Sequence, residues 1–157
     1  MFAETEDDLA TREQLLAMSG LEFIQAMRDG RLPQPPIART LNYRLTEAEP
    51  GRVVFRGTPL FDHLNPLGTV HGGWYGTLLD SAMACAVQTT LARGTAYTTL
   101  EYRVNVIRAI PPGSEIVCEG TVQHAGRSTG VANGEIRGAE DGRLYATGST
   151  TCLVLTR

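Results

Sequence analysis

Residues 65–80 read NPLGTVHGGWYGTLLD, a polar, glycine-rich loop that runs directly into an apolar segment carrying one carboxylate, Asp80. From residue 73 to residue 91 the chain has no proline, and it has no glycine after Gly76, so this segment is predicted to be a helix of about five turns. Its apolar residues cover most of the helix circumference, which is typical of a helix enclosed by the rest of the protein. We therefore expect the fold to be organised around this helix.

The start of this helix and the carboxylate within it are both candidates for a functional site. The first N–H groups of a helix have no intrahelical partner and carry the positive end of its dipole, and Gly72 and Gly73 leave them open to a ligand. Such donors suit an anion or a developing oxyanion. Burying an ionised carboxylate without partners costs several kcal/mol, so we expect Asp80 to have a dedicated partner or to face a cavity.

The spacing of Gly72 and Asp80 constrains how they could cooperate. Eight residues of helix separate them, which places them roughly 12 Å apart along the helix axis. One chain cannot easily bring both groups to the same carbonyl carbon. If they act together, Gly72 of one subunit must face Asp80 of another.

The segments around the helix predict an antiparallel sheet. Apolar and polar residues alternate before the helix at residues 40–49 and 52–58. Long strand-like runs follow the helix at residues 98–110, 115–125, 129–137 and 145–156. With no second helix between these strands, the expected class is α+β, a curled sheet wrapped around one central helix. Pairing two such sheets edge to edge would cover an open edge and bring two of these helices together, so a dimer is expected.

The first 36 residues are predicted to be a separate helical extension, followed by a main domain over residues 37–157. Thr11 with Gln14 and Ser19 with Glu22 each fit a capping box at a helix start. Prolines at positions 33, 35 and 36 then break the helical pattern and lead into the main domain.

Composition narrows the functional classes. A chain of 157 residues with 42% hydrophobic content suits one buried domain, and a net charge of -3 argues against a general nucleic-acid binder. No apolar run is long enough for a membrane span, and the first ten residues are acidic, unlike a signal peptide. The expected location is therefore cytoplasmic, with neither nucleic acid nor membrane as a partner.

The cysteines and histidines show no spacing of a metal or redox site. We expect the three cysteines to be buried free thiols, because they are far apart and lack a Cys-x-x-Cys pair. The histidines follow no ligand spacing either, so neither a metal nor a cofactor is expected. These residues are Cys85, Cys118, Cys152, His63, His71 and His124.

The motif Asn-x-x-Gly-x-x-His-Gly-Gly followed by Asp80 resembles the hotdog-fold acyl-CoA thioesterases of the PaaI-like (phenylacetyl-CoA thioesterase) group, and the resemblance covers about residues 40–155. It implies a hotdog fold and a homo-oligomer, a dimer or a dimer of dimers, with composite sites at the subunit interface. The implied substrate is an acyl-CoA thioester, of which coenzyme A is a part rather than a cofactor.

The resemblance also implies roles for individual residues. Gly72 would give its backbone N–H to the thioester oxygen, and Asn65 would help to place the nucleophile or water. Asp80 of the partner chain would act as general base or nucleophile. Thr99 on the following strand would assist, with Thr98 as its neighbouring alternative.

Further candidates lie beside the motif or carry suitable charge. His71 could orient the loop, cap the helix or take part in the chemistry directly. Aromatic groups near the motif could line an acyl pocket or pack an interface, and basic and hydroxyl groups in a later turn suit the phosphates of CoA. These substrate-binding candidates are Gly73, Phe61, Trp74, Tyr75, Arg127 and Ser128.

Two other functions compete with hydrolysis. An enoyl-CoA hydratase or dehydratase of the same fold would pair a histidine with an acid, and His63 followed by Asn65 fits that pattern weakly. An acyl-CoA-binding module would bind its ligand without turnover.

Overall fold

The computed structural model describes residues 1–156 of the chain, and its six strands form one antiparallel sheet. The strands are β1 (Tyr43–Glu49), β2 (Arg52–Gly57), β3 (Thr95–Val106), β4 (Ile116–Ala125), β5 (Thr129–Gly138) and β6 (Leu144–Thr156). Their order in the sheet is β1-β2-β4-β5-β6-β3, so β1 and β3 are the edge strands. The predicted α+β class, the hairpin before the helix and the four strands after it are confirmed, although β1 starts three residues later than predicted and β3 spans Thr95–Val106 where residues 98–110 were predicted.

The central helix, numbered α4 in chain order, spans Gly72–Gln88. It begins within one residue of the predicted start and ends three residues before the predicted end. Eleven of its residues are buried, which confirms that the sheet encloses it. Asp80 is half-buried.

A row of three glycines in the sheet lets α4 come close. Gly120, Gly134 and Gly148 face one another across β4, β5 and β6. A Cβ atom at Gly120 would overlap the backbone of Ala82, and one at Gly134 would lie 2.9 Å from the Met83 side chain. The helix therefore rests on strand positions that have no side chain, and Leu79, Ala82 and Met83 fill that groove.

Three helices precede the sheet: α1 (Arg12–Ala17), α2 (Gly20–Arg28) and α3 (Pro36–Thr40). The capping boxes predicted at Thr11 and Ser19 are confirmed, since each side chain accepts a hydrogen bond from the backbone N–H three residues later. The proline cluster does not lead straight into a strand, because Pro36 opens the short helix α3, where its missing N–H costs nothing.

The N-terminal helices pack on the same hydrophobic core as the sheet. Ile24 of α2 is fully buried within that core. Gly20 donates its N–H to the Leu91 carbonyl at 2.9 Å, and a Cβ atom at this position would overlap the Gln88 carbonyl. The division at residue 36 stays a prediction.

Among residues 1–156, no helix combines the length and the apolar character that crossing a membrane requires.

Edge strand β3 contains a bulge beside the central helix. Thr99 pairs with Cys152 and Glu101 pairs with Thr151, so Leu100 is an extra residue with no partner on β6. A bulge of this kind shifts the alternation of the strand by one residue. Thr99 and Tyr102 consequently face the same side of the sheet, whereas simple alternation would have placed Glu101 beside Thr99.

Candidate active site

The loop before α4 is held by the Asn65 side chain. Its Oδ1 accepts hydrogen bonds from Leu67 N at 2.9 Å and Thr69 N at 3.2 Å, and its Nδ2 donates to Thr69 Oγ1 at 2.8 Å. The Asn65 backbone N–H also donates to the Thr69 carbonyl at 2.8 Å. Within the subunit, Asn65 therefore stabilises the turn that precedes the helix.

The start of α4 presents one free backbone donor. His71 is the N-cap residue, and its Nδ1 accepts a hydrogen bond from Gly73 N at 2.9 Å. Gly72 is the first helical residue, and its N–H donates to no acceptor among residues 1–156. A Cβ atom built at Gly72 would meet nothing within 4 Å. Gly72 is exposed, and its unbonded N–H lies at the positive end of the helix dipole.

The next turns of α4 bring Asp80 to Thr99. Thr99 Oγ1 donates a hydrogen bond to Asp80 Oδ1 at 3.1 Å. Burial raises the pKa of Asp80 above its usual value of 3.8, and the Thr99 hydrogen bond opposes part of that rise. Thr98 is exposed and, as the neighbouring strand residue, points to the opposite face. A half-buried carboxylate with a raised pKa and one hydroxyl partner is suited to accept a proton.

Tyr102 is the site neighbour that sequence reasoning missed. Its ring packs over Gly76, where a Cβ atom would lie 3.3 Å from the ring edge. The residue keeps 46% of its surface exposed because β3 is an edge strand. Tyr102 and Thr99 therefore border one open face of α4, and no sequence signal locates the bulge that brings them together.

His63 is a structural residue of the loop. It is buried, its Nδ1 accepts a hydrogen bond from Leu60 N, and its Nε2 lies 2.9 Å from the Thr40 carbonyl oxygen. These partners require the neutral tautomer with its proton on Nε2. Both ring nitrogens are occupied, so neither is free to act as a base.

The predicted aromatic candidates fall into two groups. Trp74 and Tyr75 are each only 2% exposed, and their polar atoms are bonded to the backbone, Trp74 Nε1 to the Leu41 carbonyl and Tyr75 to Ile110 N. The structure therefore places both in the subunit core. Phe61 is 84% exposed in the short helix before the loop.

The remaining candidates lie on the surface. Arg127 and Ser128 are exposed in the turn between β4 and β5, and the Ser128 carbonyl accepts a hydrogen bond from Val154 N. Gly73 is exposed beside Gly72, with its N–H already bonded to His71.

The three cysteines are free thiols, as expected. Cys118 and Cys152 are fully buried. Cys85 keeps part of its surface, but its thiol lies deep enough that burial raises its pKa to about 12. A thiol with such a raised pKa is a poor nucleophile at neutral pH.

Comparison with known proteins identifies the family of this chain. The Thioesterase superfamily matches residues 67–145, which include α4, Asp80 and β3. Human acyl-coenzyme A thioesterase 13 is 27% identical over 130 residues, covering 83% of this chain and 90% of the human protein.

Two solved structures share the fold over most of their length. A phenylacetic acid degradation-related protein from Ralstonia eutropha JMP134 has a TM-score of 0.75 at 28% identity and covers 83% of this chain and 98% of its own. A thioesterase family protein from Silicibacter pomeroyi has a TM-score of 0.74 at 27% identity and covers 86% of this chain and 99% of its own. The chain therefore belongs to the Thioesterase superfamily, as a PaaI-like thioester hydrolase with the hotdog fold.

Proposed function

We propose that this protein hydrolyses acyl-CoA thioesters at a site shared between two subunits. The observation that carries this proposal is that one helix carries both an exposed Gly72 with an unbonded N–H and a half-buried Asp80 whose pKa is raised by burial. Roughly 12 Å of helix separates the two residues in one chain. The similarity to human acyl-coenzyme A thioesterase 13 supports CoA thioesters as the substrate class.

In the proposed reaction, the thioester oxygen accepts a hydrogen bond from the Gly72 N–H, which polarises the carbonyl and stabilises the oxyanion. Asp80 of the facing subunit takes a proton from water, and the water oxygen bonds to the carbonyl carbon. The carbon–sulfur bond then breaks, and the CoA thiolate takes up the proton from Asp80. In the alternative route, the Asp80 carboxylate attacks the carbon itself, and the carbon–sulfur bond breaks to release the CoA thiolate and leave a mixed anhydride. Water then hydrolyses the anhydride to the free acid and the Asp80 carboxylate, and the proton that the water loses goes to the thiolate.

Other residues have supporting roles in this proposal. Asn65 holds the loop in place, and His71 caps α4 so that the Gly72 N–H stays directed outward. Gly73, Phe61 and Tyr102 border the acyl group. Arg127 and Ser128 contact the phosphates of CoA, because exposed guanidinium and hydroxyl groups suit phosphate oxygens. Trp74 and Tyr75 support the helix start from the core.

The free edge of β3 supports the oligomer. This strand is 12 residues long, and Leu100 and Val106 on it are 56% and 51% exposed. A long, apolar, unpaired edge is a template for pairing with a second copy. Pairing β3 with β3 of a second subunit would place two α4 helices side by side, and a further pairing would give a dimer of dimers.

The geometry around His63 weighs against the hydratase alternative. A hydratase base needs a free ring nitrogen, and both nitrogens of His63 are bonded to the backbone. A non-catalytic binding module would use the same surface without needing a carboxylate of raised pKa.

The proposal is tested by following thiol release from a panel of aromatic and straight-chain acyl-CoAs. We expect steady release with at least one acyl class, and that class identifies the substrate. Binding of acyl-CoA without thiol release would favour the binding module. Loss of enoyl-thioester absorbance without thiol release would favour the hydratase.

The Thr99 hydrogen bond gives a pH-dependent prediction. Activity that requires ionised Asp80 is lost as the pH falls through its pKa, which burial raises and Thr99 lowers. Thr99→Val removes only the lowering contribution, so the acidic limb of the kcat/KM profile is expected to move to higher pH. Thr98→Val, on the opposite face, is the matched control and should leave the limb in place. An unmoved limb in Thr99→Val would show that another group titrates there.

A further inference from the structure

A cleft lined by charged residues lies on the outer side of the sheet, where α3 leads into β1 beside the end of β2. This cleft of about 250 Å³ is lined by three arginines, Arg39, Arg44 and Arg56, and one carboxylate, Glu115. We call it the arginine cleft. Because the whole chain carries a net charge of -3, this concentration of positive charge is local.

The positive charges in the arginine cleft are only partly balanced within the subunit. Arg44 and Arg56 sit directly opposite each other in the β1–β2 ladder, and like charges in that arrangement destabilise a sheet. Glu115 Oε2 lies 3.7 Å from Arg56 Nη1. Among the ion pairs of residues 1–156, none involves Arg39 or Arg44. A bound anion would relieve the repulsion.

The rim of the cleft is fixed before any ligand arrives. Asn42 has a φ of 53°, in the left-handed region. Its Nδ2 donates to the Thr58 carbonyl at 2.8 Å, and Thr58 N donates to the Asn42 carbonyl at 3.1 Å. The neighbouring Leu41 carbonyl accepts a hydrogen bond from Trp74 Nε1 in the first turn of α4. These hydrogen bonds hold the rim in place, and the bond between Leu41 and Trp74 connects the chain beside the rim to the helix that carries Gly72.

We propose that the arginine cleft binds a phosphoryl anion. Planar guanidinium groups match phosphate oxygens with two parallel hydrogen bonds, and a volume of this size accommodates phosphate or pyrophosphate. Two sources share this chemistry: the phosphates of an acyl-CoA bound at the proposed active site, in place of the contact with Arg127 and Ser128 proposed above, and a free phosphorylated metabolite. In either case, the bound anion lies beside Asn42, whose chain neighbour Leu41 is hydrogen-bonded to Trp74 in the first turn of α4.

Pyrophosphate is the probe that tests the site, by calorimetric titration and thermal unfolding at low ionic strength. The wild type is expected to bind it and to unfold at a higher temperature in its presence. Arg44→Ala is expected to weaken binding about tenfold or more. Without ligand, this variant should be at least as stable as the wild type, because it removes the repulsion with Arg56. Arg137→Ala removes a strand arginine elsewhere and should bind like the wild type.

The KM values of Arg44→Ala separate the two sources. A rise of about tenfold for an acyl-CoA, with no change for the matching acyl-pantetheine, identifies the CoA phosphates. Unchanged KM values with weakened pyrophosphate binding identify a free metabolite. Only this comparison rests on the proposed hydrolysis, since the titration needs no turnover. The site is overturned if the wild type does not bind pyrophosphate, or if Arg44→Ala binds it equally well.

Discussion

Replacing Asp80 with asparagine is expected to lower the rate of thioester hydrolysis by about 10²- to 10⁴-fold, the usual contribution of a general base. Asparagine keeps the size of the side chain and can still accept the Thr99 hydrogen bond through its amide oxygen. The variant loses only the negative charge that accepts the proton or attacks the carbonyl. Its fold should therefore be retained.

The same substitution should not reduce stability at neutral pH. Burial raises the pKa of Asp80 above 3.8, so the folded protein holds this proton more tightly than the unfolded chain does. The ionised carboxylate consequently destabilises the folded state above its raised pKa, and this effect disappears as the pH falls toward 3.8. In Asp80→Asn the destabilisation is absent at every pH, and Tm is expected to equal or exceed that of the wild type.

The measurement combines thiol release with thermal unfolding at neutral pH and size-exclusion chromatography. Glu101→Gln is the matched control, since it neutralises a carboxylate on the exposed face of β3. We expect this control to keep its activity. If Asp80→Asn stays folded and oligomeric and also keeps most of its activity, the proposed role of Asp80 is wrong.

Much of the fold was predictable because its main elements follow local rules. A mostly apolar stretch without proline or a further glycine after Gly76 predicts α4, alternating and strand-like runs predict the sheet, and side-chain caps at Thr11 and Ser19 mark two helix starts. The row of glycines under α4 was not predictable. Each glycine looks like an ordinary strand interruption, and their alignment exists only once three strands are in register.

The candidate site also contains some residues that could be predicted from the sequence and others that could not. Asp80 and Gly72 could be singled out because their chemistry depends on their place in one helix. The position of Tyr102 depends on the bulge at Leu100, which reverses the alternation predicted for β3. His63 also depends on tertiary structure, since its partner at Thr40 lies 23 residues earlier in the chain.

Replacing Gly72 with proline is expected to lower the rate by about 10²- to 10³-fold, as removal of one oxyanion donor does in other enzymes. The structure indicates that the fold tolerates this change. Gly72 is the first residue of α4, a position where proline is favoured. His71 before it has a ψ of 137°, the extended conformation that a following proline requires. The N–H that is removed bonds to nothing among residues 1–156.

Gly72→Ala is the matched control for this prediction. It adds a Cβ atom where the subunit has no atom within 4 Å, and it keeps the N–H. We expect Gly72→Ala to retain far more activity than Gly72→Pro, with both variants folded. If both variants lose activity equally, the loss is caused by obstruction of the site and not by the missing N–H donor.

Combining the two inactive variants tests whether the site is shared between subunits. If Gly72 and Asp80 come from different chains, a mixed dimer of Gly72→Pro and Asp80→Asn contains one site in which both groups are intact. Random pairing of equal amounts makes half of the dimers mixed, so about a quarter of all sites should be active. If both groups came from the same chain, no mixed dimer would contain an intact site. Co-expression should therefore restore about a quarter of wild-type activity, whereas mixing the purified variants without subunit exchange should restore none.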